Sequence, residues 1–283
     1  LVLVALMGVS LESNAAVPAS VPLRLWHSYR GAERDALEQV VVDFGRLHPE
    51  WPVELLAVPY DAFANKLTSA IPRGNGPDVF IAAHERLGDW AESGLVAPLS
   101  GDDGLWGAFF PATVSAVTWK STPHGYPLAF KSLALFVRDD LIGGSVPADT
   151  DAMVATCRGF AKDRPGSFCI AWEAGSFYHH APWLFGFGGG ILDDKGTPVL
   201  DRPENAASIA FVRDLTNEGF LPQEPTSALV TQLFNEGRVA MVVNGPWFLG
   251  ELAQGVPYSV HPLPRVSATG GATTPFLTVD AAM

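Results

Sequence analysis

Between Leu23 and Ala91 short apolar runs alternate with longer stretches whose apolar residues fall at helical spacing. This alternation limits the fold more than any other feature of the chain. Leu23-Arg24-Leu25-Trp26 reads as a strand, and the stretch from about Glu33 to Leu47 reads as a helix. That helix carries Leu37, Val40, Val41 and Phe44 on one stripe and is stopped by Pro49. Val53–Val58 is a second strand, Phe63, Leu67 and Ala70 mark a second helix, and the turn Gly74-Asn75-Gly76-Pro77 feeds the buried run Val79-Phe80-Ile81-Ala82. A third helix carries Leu87, Trp90 and Ala91. Strands and helices in this order predict a mainly parallel sheet with helices on both faces. In such sheets ligands lie beyond the C-terminal ends of the strands. Two loops leave strands at that edge: Trp26-His27-Ser28-Tyr29-Arg30 and Ala83-His84-Glu85-Arg86.

A second α/β unit follows a strand at Leu133–Val137. Its helices are expected near Thr150–Ala161, Phe177–Phe187, Ala206–Glu218 and Ser227–Asn235, and its strands at Ser167–Trp172, Val239–Val243 and Tyr258–Pro262. The run Gly186-Phe187-Gly188-Gly189-Gly190 lacks phosphate-loop spacing and follows a helix, so it reads as a helix C-terminus.

Thirty acidic against 18 basic residues give a net charge of −12, which argues against a nucleic-acid partner. Eight Trp are more than a core of this size fully buries, which leaves indole surface for a ligand. Cys157 and Cys169 match no metal or redox spacing; they are either one disulfide or two buried thiols. At the start, the apolar run Leu1–Val9 followed by Ser13-Asn14-Ala15 reads as the core and cleavage site of a secretory signal, which predicts a periplasmic protein. At the end, Thr278–Met283 carries no cap, turn or tail, and the expectation is a chain truncated at its C-terminus.

The sharpest motif is Phe234-Asn235-Glu236-Gly237-Arg238-Val239-Ala240-Met241-Val242-Val243-Asn244-Gly245-Pro246-Trp247. It joins a helix, a glycine turn, a buried strand and a second helix. Asn244 and Gly245 suit an N-cap and Pro246 the first helical position, which puts Trp247 in a first turn beside a strand end. A ring so placed can stack on the flat C–H face of a sugar, whose hydroxyls then need polar partners.

This segment resembles the corresponding stretch of the maltose-binding proteins, the family 1 solute-binding proteins of ABC importers. Gly76-Pro77-Asp78-Val79, Ala83-His84-Glu85-Arg86, Ser93-Gly94-Leu95-Val96, Gly125-Tyr126-Pro127-Leu128-Ala129 and Asp140-Leu141 resemble it in the same order, so that the likeness runs from Leu23 to Met283. The resemblance implies a periplasmic-binding-protein type II fold, two α/β lobes joined by hinge strands with the ligand cleft between them. Residues 1–21 would be the signal remnant and mature N-terminus, 22–129 the N-terminal lobe, 130–275 the C-terminal lobe, and 276–283 a hinge strand returning to the first lobe.

It also implies a ligand site. Trp247 matches the family's stacking tryptophan and Tyr178 a stacking tyrosine. Glu85 matches an acid that accepts sugar hydroxyl protons, and Arg86 the arginine beside it. Ser28 and Arg30 stand where maltose binders have polar and basic residues, and Glu173 stands nearest a second sugar-binding acid in a region of different length. Ala82 replaces an aromatic residue. Lys131 replaces a glutamate, so that a donor stands where those proteins have an acceptor. The implied function is capture of maltose, a maltodextrin or a related oligosaccharide by a monomer. Hinge closure would then deliver the sugar to an inner-membrane ABC permease and its ATPase, without a cofactor, a bound metal or catalysis. The alternatives are a same-fold binder of a non-sugar solute such as a polyamine, or the binding domain of a receptor or permease fusion. A glycosidase would need two carboxylates flanking one bond, typically ~5–10 Å apart, and no pattern in the chain demands that pairing. His179-His180 are adjacent and diverge on a helix, which does not suit a metal.

Overall fold

The computed structural model describes residues 21–100, 103–143 and 146–283. The signal-peptide reading of residues 1–20 lies outside the described residues. The chain divides into two compact units, a first that runs to Ala82 and includes Met283, and a second of Ala83–Ala282.

In the first unit β1 (Leu23–His27) leads to α1 (Gly31–Leu47), β2 (Val53–Ala57), α2 (Tyr60–Ala70) and β3 (Val79–Ala83). β1 pairs in parallel with β2 on one side and β3 on the other, as the alternation of elements requires. Phe80 exchanges two backbone hydrogen bonds of 2.9 Å with Met283. α2 buries Phe63 and Leu67, as its spacing predicts. α1 departs from its expected stripe. Leu37, Val41 and Phe44 are half-buried, whereas Val40 is 62% exposed. The half-buried set repeats at i, i+4 and i+7, and Val40 falls on the turn between two of its members, at the margin of that face.

The second unit opens with a 3₁₀ turn, His84–Arg86, then α3 (Leu87–Glu92), α4 (Asp103–Trp106), α5 (Pro111–Ala116) and a small hairpin, β4 (Thr118–Trp119) with β5 (Thr122–Pro123). β6 (Tyr126–Lys131) and β7 (Ala134–Arg138) follow, then α6 (Thr150–Asp163), β8 (Phe168–Ala171), α7 (Phe177–Gly186), α8 (Pro203–Asn217) and α9 (Ser227–Asn235). β9 (Val239–Asn244), a 3₁₀ helix at Pro246–Glu251, β10 (Tyr258–His261) and β11 (Thr278–Ala282) complete it. Local chemistry sets several of these bounds. Asp149 caps α6 by accepting the Ala152 N–H at 2.9 Å, and Thr226 caps α9 by accepting the Leu229 N–H at 3.2 Å. Pro203 begins α8, where a missing N–H costs nothing.

Four of the strands form a sheet in the order β10-β7-β9-β8. β7 is antiparallel to β9 and β10, and β8 is parallel to β9. Every residue of β9 is buried, which is why it reads as an unbroken apolar run rather than an alternating one. On one face Leu135 and Val137 of β7 join Met241 of β9, Met153 of α6, Trp172 and Trp183. On the other, Phe136, Val242, Phe234 and Phe248 pack together, with the Phe136 and Phe248 rings 5.1 Å apart and edge-on. Buried Arg138 ends the inner strand β7: it grips both Asp140 carboxylate oxygens at 2.8 Å and donates to the Phe234 carbonyl. That guanidinium holds the Asp140 carboxyl below its ordinary range.

Cys157 and Cys169 form a disulfide that ties α6 to β8 across 12 positions of sequence, which decides between the two readings open in the sequence. Closing a loop of this size restricts the unfolded chain, so replacing both cysteines by serine is expected to destabilise the unit by about 3 kcal/mol. Equilibrium urea unfolding of the double variant checks this; an unchanged midpoint and slope would show that the bond contributes nothing.

Candidate functional site

The candidate site lies in the second unit, where two aromatic residues far apart in sequence meet a row of polar ones. β9 ends at Asn244, whose side-chain oxygen accepts the Gly245 N–H at 2.9 Å. Pro246 then starts the 3₁₀ helix, with Gly245 at its cap, so the expected helix start is found in its tighter form. A Cβ on Gly245 would overlap the six-membered ring of Trp247. Glycine is therefore what lets the indole fold back against the strand end.

Tyr178 is the second residue of α7. Tyr178 and Trp247 are both half-buried against the core cluster that contains Trp172 and Trp183. Their ring centroids are 6.2 Å apart and their planes 48° apart. Phe276 stacks on the tyrosine at 6.2 Å and 29°, and Phe177 and Phe185 approach Phe276 at 5.8 and 5.6 Å. Burial raises the Tyr178 phenol above its ordinary pKa, and the Glu85 and Asp280 charges push the same way, against a hydrogen bond from Thr278 that acts to lower it.

The polar row stands on β11, which pairs antiparallel with β6 and places Thr278 opposite Lys131. The Thr278 hydroxyl lies 3.2 Å from the Tyr178 oxygen and 3.5 Å from a Glu85 oxygen, and its single proton serves one of them at a time. Glu85 is exposed and is brought there by its neighbour, since His84 Nδ1 accepts the Val279 N–H at 3.1 Å. The Lys131 ammonium donates to Asp280 at 2.8 Å and lies 5.5 Å from the Trp247 ring centroid.

The structure thus brings together Glu85, Lys131, Tyr178 and Trp247 of the residues singled out in the sequence. Arg86, next to Glu85, is exposed at the start of α3 and makes no hydrogen bond or ion pair among the described residues. Glu173 is half-buried just beyond β8, and its carbonyl accepts the Ser176 N–H at 3.0 Å in the turn that launches α7. Ser28 and Arg30 belong to the first unit, in the loop between β1 and α1. Ser28 is half-buried, and Arg30 is exposed and extended at the cap of the helix. Sequence reasoning missed Phe276, Thr278 and Asp280. Their one visible signal was the alternation of Thr278 and Asp280 with apolar Val279 and Ala281 along a strand.

The profile of the bacterial extracellular solute-binding protein family matches residues 30–277. The chain belongs to that family. The maltotriose-binding protein of Pyrococcus abyssi is 29% identical to this solute-binding protein over 253 residues, covering 87% of this chain and 54% of the relative. The maltodextrin-binding protein MdxE of Bacillus subtilis is 26% identical over 209 residues, covering 69% of this chain and 49% of the relative. The solute-binding protein described here therefore spans about half the length of these relatives. Among solved structures, the GacH receptor of Streptomyces glaucescens, which was determined unliganded and with acarbose, matches 93% of this chain and 71% of its own. It does so with a TM-score of 0.85 at 23% identity. The fold class is the one expected from the sequence, an α/β periplasmic-binding-protein fold of the two-lobed type.

The two histidines of α7 in this solute-binding protein have separate environments. His180 Nε2 lies 3.0 Å from the Ser208 hydroxyl of α8, and burial lowers its pKa. His179 is 6% exposed, packs edge-on to Tyr178 at 5.7 Å, and its Nδ1 has no hydrogen-bond partner among the described residues. Burial pushes its pKa down to about 4 from 6.5. A histidine neutral in the folded state and protonated in the unfolded one stabilises the fold fully above 6.5, and the contribution is lost as pH falls from there toward 4. The loss is on the order of 3 kcal/mol by pH 4. Urea unfolding between pH 7 and pH 4 is expected to show this slope and to lose most of it in His179→Phe, with His180 supplying a remainder. An equal slope in the variant would assign the acid sensitivity to other groups.

Proposed function

We propose that this chain is the substrate-binding subunit of an ABC sugar importer, taking maltose, a maltodextrin or a related oligosaccharide. The observation that carries the reading is the pairing of Trp247 and Tyr178, 6.2 Å apart, with the oxygens of Glu85 and Thr278 beside them. Aromatic faces for C–H surfaces, next to acceptors and donors for hydroxyls, are what a neutral carbohydrate needs. The names of the relatives, which bind maltotriose and maltodextrin, support the same ligand class.

The mechanism assigned to the site is hinge closure between lobes at 22–129 and 130–275, with β6 and β11 as the crossing strands. A sugar that makes more contacts in the closed form shifts a two-state equilibrium toward it. The closed protein then hands the sugar to a membrane permease driven by an ATPase. The site binds without transforming its ligand, and the protein works in the periplasm as a monomer. Arg86, Ser28, Arg30 and Glu173 are proposed as further ligand contacts on the strength of the family resemblance.

Calorimetric titration with maltose, maltotriose, trehalose, arabinose and spermidine tests the reading. Saturable binding of a maltooligosaccharide at micromolar concentration is expected. Trp247→Ala is expected to weaken it about 10- to 100-fold, the worth of one stacking ring. Binding of spermidine alone, or a sugar affinity indifferent to Trp247→Ala, would sink the proposal.

A further inference from the structure

Asp280, like Phe276 and Thr278, has no part in the family resemblance, and its surroundings give it a role. Its side chain is 7% exposed, and it holds the Lys131 ammonium at 2.8 Å. An unpaired carboxylate at that depth is strongly unfavourable, so the cation is a structural requirement. The register of β6 and β11 brings the two together: Lys131 lies opposite Thr278, and Asp280 is two positions further along the same face of β11. The ammonium spends one donor on Asp280 and keeps others beside the Trp247 ring, 5.5 Å from its centroid. A second carboxylate, Glu85, stands 3.5 Å from Thr278 at the same place.

We infer that the Lys131–Asp280 pair sets the charge specificity of the site, presenting a fixed donor to the sugar unit on Trp247 while adding no net charge. The inference rests on the oligosaccharide reading above and adds which side chains select by charge. Uncharged units offer lone pairs to the lysine. A uronate meets two carboxylates and a cation already engaged. An amino sugar brings a second ammonium against the first. Asp280 is thus a positioning residue that acts through Lys131.

The test is calorimetry on the full chain with maltotriose, a galacturonate trimer and a glucosamine trimer, at about pH 6, where both charged sugars are ionised. The native protein is expected to favour maltotriose. Asp280→Asn frees the lysine charge and is expected to raise the ratio of galacturonate to maltotriose affinity about tenfold, while Lys131→Gln raises the ratio for glucosamine by about as much. Lys131→Gln leaves a buried carboxylate alone, so the double variant K131Q/D280N serves if that variant does not fold. With no charge in the pair, it is expected to return to the native order of preference with weaker maltotriose binding. A purely structural pair would change thermal stability and leave these ratios fixed. Unchanged ratios in folded variants, with maltotriose still bound by the native protein, overturn the inference and leave the proposed function standing. No sugar bound by the native protein overturns both.

Discussion

β9 is buried along its whole length, and the aromatic half of the candidate site follows from that burial. Its residues pack into two clusters, Met241 and Val243 into one and Val242, on the opposite face, into the other. A strand covered on both faces has little freedom to slip, because a one-residue shift would exchange the clusters its side chains fill. The end of the strand is therefore a defined point. Asn244, Gly245 and Pro246 stop it there, and Trp247 is delivered at the sheet's edge. α7 is anchored in the same core by Trp183, which sits 5.3 Å from Trp172, and this fixes Tyr178 about 1.4 turns earlier on the helix. Two rings 69 positions apart meet because both of their elements pack on one cluster.

The polar half depends on a different constraint, the antiparallel register of β6 and β11. It sets Lys131 against Thr278 and Asp280, and the His84–Val279 hydrogen bond draws Glu85 to the same place. Backbone pairing thus decides the polar geometry, and core packing decides the aromatic geometry. The two sets touch through a threonine hydroxyl on a tyrosine and an ammonium near an indole. In the candidate site the Lys131 ammonium is matched by Asp280, while the Glu85 carboxylate stands exposed beside them.

The sequence carried much of this in advance. The spacing of Phe234 to Trp247 announced a helix, turn, strand and helix start, because capping and glycine turns are local events. The starts of α6 and α9 were placed by periodicity, and the structure adds the caps that fix them, Asp149 and Thr226. The stripe on α1 was read less well, since an apolar residue at the margin of a face, Val40, has the same periodicity as one at its centre. The cysteines were legible only as a choice, and their pairing required α6 to lie against β8. Thr278 and Asp280 showed their alternation but not their purpose.

The sequence by itself determined where most of the elements lie, that the run ending at Val243 would be a buried strand, the family, and four of the residues that gather at the candidate site. The tertiary structure alone decided that Asp280 holds Lys131, that Phe276 backs Tyr178, and that Glu85 comes within reach of Thr278. The physical reason is range. Caps, turns and periodicity are properties of neighbouring residues and survive in the string of letters. A salt bridge across 149 positions depends on strand register, and register is set by every other contact in the sheet.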